Sequence, residues 1–218
     1  MNCDNVTLKT TDGETLAGRY YGVTSARGGV VLLHMMPATK ESWSGIAERL
    51  QQLGYAGLAI DLRGHGDSSG GPRGYQHFGD AEHQKSILDV DAAAKFLFSK
   101  GIIESQLTLV GGSIGANLAL KYLADHHEIK AAVLLSAGLN YRGLETPPAA
   151  RGLVAGQRVF LASARDDGGN ANENEELATE IPEGVEKQVE IYDRAGHGTD
   201  MLDAQPKLAE HIIDFITK

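Results

Sequence analysis

Leu109-Val110-Gly111-Gly112-Ser113-Ile114-Gly115-Ala116 is the stretch on which the reading of the fold turns. A short apolar run, 106–111, leads into it, and a helical segment that is apolar on most of its circumference, 114–126, follows. A Gly-x-Ser-x-Gly pattern occurs often by chance. Set between a strand and a helix it acquires a mechanical meaning, because the chain must turn sharply at the serine. Glycines two before and two after Ser113 remove side chains that would collide in such a turn. The hydroxyl is then held out above the strand ends. The dipole of the helix that begins there favours negative charge beside it, and the N–H of Ile114 can face a developing oxyanion. Ser113 is therefore the candidate nucleophile.

Working outward, apolar runs alternate with helical segments, the pattern of a mostly parallel sheet with helices on both faces. Residues 29–34 form a partly β-branched run suited to a buried central strand. Strands are also expected at 56–61, 131–136, 159–163 and 185–192. Between them, 42–53, 80–100, 172–180 and 206–215 have helical spacing, with Trp43, Ile46, Leu50 and Leu53 sharing one face of the first. Ahead of the alternation, 6–10 and 15–21 flank Asp12-Gly13, a strong turn pair, and read as an antiparallel hairpin. Residues 64–79, rich in glycine and polar side chains, read as a long loop. The expectation is an eight-stranded α/β sheet in a single domain, 1–218.

The chain has 218 residues, 42% hydrophobic and 22% charged, an ordinary balance for a soluble globular protein. No apolar run approaches the roughly 20 residues that span a bilayer. Residues 1–10 are polar and lack the apolar centre of a secretory signal, so the expected compartment is the cytoplasm. Cys3 is the only cysteine, which rules out an intrachain disulfide and cysteine-rich zinc sites. A net charge of −9 argues against a nucleic-acid partner and against docking on anionic lipid.

A seryl hydroxyl is a weak nucleophile without a base, and histidine suits that task near neutral pH. Of the eight histidines, His197 alone combines a place just after the last strand with glycine on both sides, in Asp193-Arg194-Ala195-Gly196-His197-Gly198. C-terminal strand ends gather on one edge of such a sheet, the edge that carries Ser113. His126 and His127 lie at the far end of the helix that starts at Ser113, and His77, His83 and His211 have no supporting motif. An acid should hold the other ring nitrogen. The strand 159–163 runs on into Ala164-Arg165-Asp166-Asp167, where either aspartate could serve. The chain order serine, aspartate, histidine is one that such a strand–serine–helix architecture takes.

These stretches together resemble the α/β-hydrolase superfamily, and within it the small esterases and dienelactone-hydrolase-like proteins. The resemblance runs from about Val6 to the closing helix. It rests on the Ser113 elbow, Gly196-His197-Gly198, Leu32-Leu33-His34-Met35-Met36-Pro37 and Asp61-Leu62-Arg63-Gly64-His65-Gly66-Asp67-Ser68. The family's acid commonly ends a Gly-x-x-Asp run, which Ala164-Arg165-Asp166-Asp167 matches with alanine for glycine, and so the resemblance selects Asp167. The family usually has His-Gly-x after the third strand. Met36 matches the backbone donor of the oxyanion hole there, beside Ile114, and Met35 replaces the usual glycine. His34 and Met35 are then placed in the substrate pocket. The Asp61 to Ser68 stretch is a family hallmark with a structural cast, His65 fixing the loop.

The activity implied is hydrolysis of carboxylic esters through an acyl-enzyme, with a small-molecule ester as substrate and no metal or organic cofactor. Many relatives carry a helical lid between the sixth and seventh strands. The segment between Ser136 and Val159 is long enough for one short helix only. An uncapped, open site favours short- or medium-chain acyl groups. Thioesters, amides, lactones and cofactor-free perhydrolysis would use the same residues. A binding protein on a hydrolase scaffold is the reading from another class, and it usually lacks one member of the triad. Dehalogenase and epoxide hydrolase relatives place aspartate where Ser113 stands.

Overall fold

A computed structural model describes residues 3–218. Met1 and Asn2, where the polar 1–10 stretch begins, lie outside them. In chain order the elements are β1 (Asp4–Lys9), β2 (Thr15–Tyr21), β3 (Gly28–Leu33), α1 (Ser44–Gln52), β4 (Tyr55–Ile60), α2 (Asp80–Gln84), α3 (Ile87–Ser99), β5 (Leu107–Gly112) and α4 (Ile114–Asp125). There follow β6 (Ala131–Leu135), a small hairpin of β7 (Asn140–Tyr141) and β8 (Leu144–Glu145), α5 (Pro147–Arg151), β9 (Arg158–Ala164), α6 (Asn170–Glu180), β10 (Glu186–Tyr192), α7 (Met201–Ala204) and α8 (Pro206–Thr217).

Eight strands form one sheet in the order β1-β2-β4-β3-β5-β6-β9-β10. β2 runs antiparallel to both β1 and β4, and every other neighbouring pair is parallel. The architecture is the expected one, with helices on both faces and no separate cap domain. The central strands are buried from end to end because helices cover both sides. Val31, Leu33, Leu109 and Leu134 face one apolar cluster with α3 and α4, whereas Val30, Leu32, Val110 and Val133 face another with α1 and α8. Each such side chain contributes about 1.5–3 kcal/mol through burial.

Register decides where the chemistry can gather. Leu33 pairs with Gly111, Gly112 with Leu135, Leu135 with Ala162, and Ala164 with Tyr192. Five parallel strands thus end in step, and the loops that follow β3, β5, β6, β9 and β10 leave the sheet at one rim. Among the described residues no helix is long and apolar enough to cross a membrane.

Two expectations are corrected. The helix expected over 80–100 is two helices, α2 and α3. Tight bonds from Ser86 N to His83 O and from Leu88 N to Lys85 O break the α-helical ladder between them. The span 137–158, expected to hold one short helix, carries the β7–β8 hairpin as well as α5.

Candidate active site

Ser113 stands between the last residue of β5 and the first of α4, with φ 53° and ψ −121°. A non-glycine residue there carries about 1–3 kcal/mol of strain. Close packing enforces the turn. A Cβ on Gly111 would sit 2.1 Å from the carbonyl oxygen of Gly115, and one on Gly115 would sit 2.5 Å from that of Leu33. The two glycines of the motif are the positions where backbone meets backbone, and Gly112 is not, its nearest neighbour being 3.5 Å away. The Ser113 N–H donates to Leu135 O at 2.8 Å, fastening the elbow to β6.

His197 follows β10. Its Nδ1 lies 2.7 Å from Asp167 Oδ2, so the ring is oriented by that carboxylate. Asp166, the neighbouring aspartate, has a different partner. Its Oδ1 accepts the backbone N–H groups of Ala195 and Gly196, at 3.1 and 3.2 Å. Those two bonds hold its carboxyl below the usual range and tether the loop that carries His197. The N–H of Gly198 donates to Ser136 Oγ at 2.9 Å, which binds the same loop to the end of β6. Gly198 and Thr199 also lie against Gly112. Ser113, His197 and Asp167 therefore share one rim. Among the described residues no direct hydrogen bond joins the Ser113 hydroxyl to His197.

The segment after β3 arrives beside the elbow, through the contact of Leu33 and His34 carbonyls with Gly115. His34 is corrected from the sequence reading. Its side chain is fully buried, Nδ1–H donating to Met35 O at 2.9 Å and Nε2 accepting the N–H of Leu62 at 3.0 Å. With both ring nitrogens committed, it ties the loop after β3 to the loop after β4 and offers substrate nothing. Burial pushes its pKa down to about 4, so the neutral form those bonds require is maintained. Met35 is also buried, and its thioether fills the space a Cβ on Gly198 would need. It packs under the His197 loop instead of lining an open pocket. Met36 is half-buried and borders a cavity of about 400 Å³ with Pro37, Tyr75, Gln76 and Arg142.

The 61–68 stretch anchors these loops. Asp61, fully buried, accepts Lys40 N at 2.8 Å, Lys40 Nζ at 2.6 Å and Asp67 N at 2.9 Å. Arg63 bridges Asp89 and Asp12 with side-chain contacts of 2.7 Å to each. His65 stacks on Tyr75 with ring centroids 4.1 Å apart. Several residues that shape the rim have no signal in the sequence: Tyr141, Ser136, and the amides Asn117 and Asn170. Gly168-Gly169 ahead of α6 hints that a turn brings Asn170 inward, and the rest are placed by tertiary contacts alone. No group of three or more potential metal ligands occurs among the described residues.

A family model described as the α/β-hydrolase fold matches residues 29–173. A multifunctional-autoprocessing repeats-in-toxin protein of Vibrio vulnificus is 33% identical over 144 residues, which is 60% of this chain and 3% of that protein. The chain thus spans a small fraction of that relative's length. Among solved structures, an esterase from Exiguobacterium antarcticum superposes with a TM-score of 0.77 at 17% identity, over 99% of this chain and 100% of that one. A dienelactone hydrolase from Anabaena variabilis gives 0.77 at 20% identity, over 98% and 94%. Both likenesses are of fold.

Proposed function

The chain belongs to the α/β-hydrolase family, and from that premise we propose that it is a serine hydrolase that cleaves carboxylic esters through an acyl-enzyme. The observation that carries this reading is the 2.7 Å contact of His197 Nδ1 with Asp167, on the same rim as a strained serine at the head of a helix. A carboxylate on Nδ1 leaves Nε2 as the basic nitrogen and stabilises the imidazolium.

Ser113 Oγ attacks the substrate carbonyl while its proton passes to His197 Nε2. The Oγ–H bond breaks as the Oγ–C bond forms, and the electron pair of the carbonyl moves onto oxygen. The N–H groups of Ile114 and Met36 receive that oxyanion, a contribution whose loss typically costs about 10²–10³ in turnover. The imidazolium gives its proton to the departing alcohol. Water then attacks the acyl-enzyme with His197 again as base, and Oγ leaves with the proton. The hydrogen bond between serine and histidine forms as substrate seats, a tightening common in such sites. No metal or organic cofactor enters. Small-molecule esters are the proposed partners, and the whole chain is proposed to act as one domain.

Two features support short- or medium-chain acyl groups: the segment between β6 and β9 holds only a hairpin and one short helix, and no cap domain covers the rim. A fluorophosphonate probe followed by peptide mapping tests the nucleophile. Label on Ser113, blocked in Ser113→Ala, is expected; no labelling would favour a binding protein. Hydrolysis across an acyl-chain series tests the substrate class. An optimum at short or medium chains is expected, and an optimum at long chains contradicts it.

A further inference from the structure

The β7–β8 hairpin stands beside the site and carries an arginine that the reaction above leaves unused. Its two-residue turn is Arg142-Gly143, with φ 55° and 79°, the left-handed pair that lets two short strands reverse tightly. The Gly143 N–H donates to Asn140 Oδ1 at 2.8 Å across the turn. Asn117 on α4 fixes the base of the hairpin: Nδ2 donates to Gly138 O at 3.0 Å and to Leu144 O at 2.8 Å, and Oδ1 accepts the Gly138 N–H at 3.1 Å. The Tyr141 ring meets His197 edge-on, with centroids 6.4 Å apart. Arg142, next along the chain, borders the same cavity of about 400 Å³ that Met36 borders. That cavity therefore lies between the proposed oxyanion donor and the hairpin that flanks the histidine.

The lining divides by chemistry. Met36, Pro37 and the Tyr75 ring are apolar, Gln76 and Arg142 are polar, and Arg142 alone among them is charged. An apolar wall with a few polar groups, at this volume, is what small-molecule pockets have. The wall is held in place, since the Tyr75 ring stacks on buried His65 with planes 7° apart and the Tyr75 N–H donates to Gly64 O at 3.2 Å. Arg142 is not spent on the fold. Arg19, Arg63, Arg151 and Arg165 each pair with a carboxylate, whereas among the described residues none lies within ion-pair distance of exposed Arg142. The neighbouring acids sit elsewhere: Glu145 borders a different cavity, and Asp80 comes up against Gly143.

We propose that this cavity is an acyl subsite for esters whose acyl chain ends in a carboxylate, and that Arg142 is the residue that selects them. The inference rests on the hydrolase reading and deepens it. With the substrate carbonyl oxygen at the N–H groups of Met36 and Ile114, the acyl chain runs along Met36, Pro37 and the Tyr75 ring, and its far end reaches Arg142. A guanidinium offers paired donors that match the two oxygens of a carboxylate, and the Gln76 amide adds another donor. A chain ending in methyl leaves those donors to water. The net charge of −9 disfavours anions over the molecule as a whole, so a preference for an anionic ester has to come from a local cation.

The test compares two p-nitrophenyl esters of equal chain length, the monoester of adipic acid and the hexanoate, with the rate in Ser113→Ala subtracted. In wild type kcat/KM is expected to be about tenfold higher for the adipate monoester, most of it in KM, because a charge-assisted hydrogen bond to an exposed arginine is partly screened. The ratio of the two kcat/KM values is expected to fall to about 1 in Arg142→Gln, to fall further in Arg142→Glu, and to be partly kept in Arg142→Lys. Both esters are read on the same protein, so a loss of folded fraction cancels from the ratio. A wild-type ratio of 1 or below, or a ratio that Arg142→Gln leaves unchanged, would overturn the proposal while the hydrolase reading stands. Turnover of neither ester by wild type, with no fluorophosphonate label on Ser113, would defeat the hydrolase reading and the substrate class with it.

Discussion

Asp166 and Asp167 are adjacent in the chain and have separate tasks. The Asp167 carboxylate touches the imidazole, and the Asp166 carboxylate touches the backbone that delivers the imidazole. Asp167→Asn leaves the shape and loses the charge and the correct tautomer of His197. A fall in kcat of about 10⁴ is expected, as for such a change in a Ser-His-Asp triad; a fall under tenfold would mean that another acid serves. Nothing in the two letters Asp-Asp separates these tasks. The residues alone leave both open, and only the family spacing points to Asp167. His34 shows the converse: its motif is legible, yet its side chain is spent on Met35 O and Leu62 N. Sequence reports that a residue type belongs to a stretch, and the partners it finds across the fold decide which way its ring faces.

At the scale of elements, the strands and most helices are legible because buried runs and helical stripes leave strong periodic signals. The hairpin at 140–145 leaves none, since each strand has two residues and the turn places a non-glycine residue at positive φ. The break between α2 and α3 is silent for a similar reason: both sides keep helical composition. The elbow is different, because its geometry is written in Gly111 and Gly115. Gly115→Ala drives a Cβ toward the carbonyls of Leu33 and His34, at 2.5 and 2.8 Å, both of which are backbone. The cost is expected to be about 1–3 kcal/mol. Activity should fall further than stability, because the same push parts Met36 from Ile114. Chemical denaturation with a parallel esterase assay checks this, and an unchanged midpoint would show that the contact relaxes freely.

Across the whole molecule, the parallel strands ending in register explain how residues from distant parts of the chain meet, and the charged clusters explain how the loops stay there. Arg63 joins the β1–β2 turn, through Asp12, to α3, through Asp89. The guanidinium lowers Asp12 to about 2 from its ordinary 3.8. A carboxyl depressed in the folded state contributes stability above its unfolded value and loses it as pH falls through the folded one. Asp12 is partly exposed, so about 1 kcal/mol is expected to disappear between about pH 4 and pH 2. Asp12→Asn should be less stable at neutral pH and flatter across that window in thermal melts; an identical acid slope in variant and wild type would remove Asp12 from the account.

The central claim is that acyl groups pass through Ser113. Wild-type protein mixed with p-nitrophenyl acetate, quenched in acid during the burst and mapped by peptide mass, addresses it most directly. An acetyl group on the peptide holding Ser113, gone once substrate is exhausted, is the predicted result. Turnover with that peptide unmodified, or with the acetyl group on another side chain in step with product release, would contradict it.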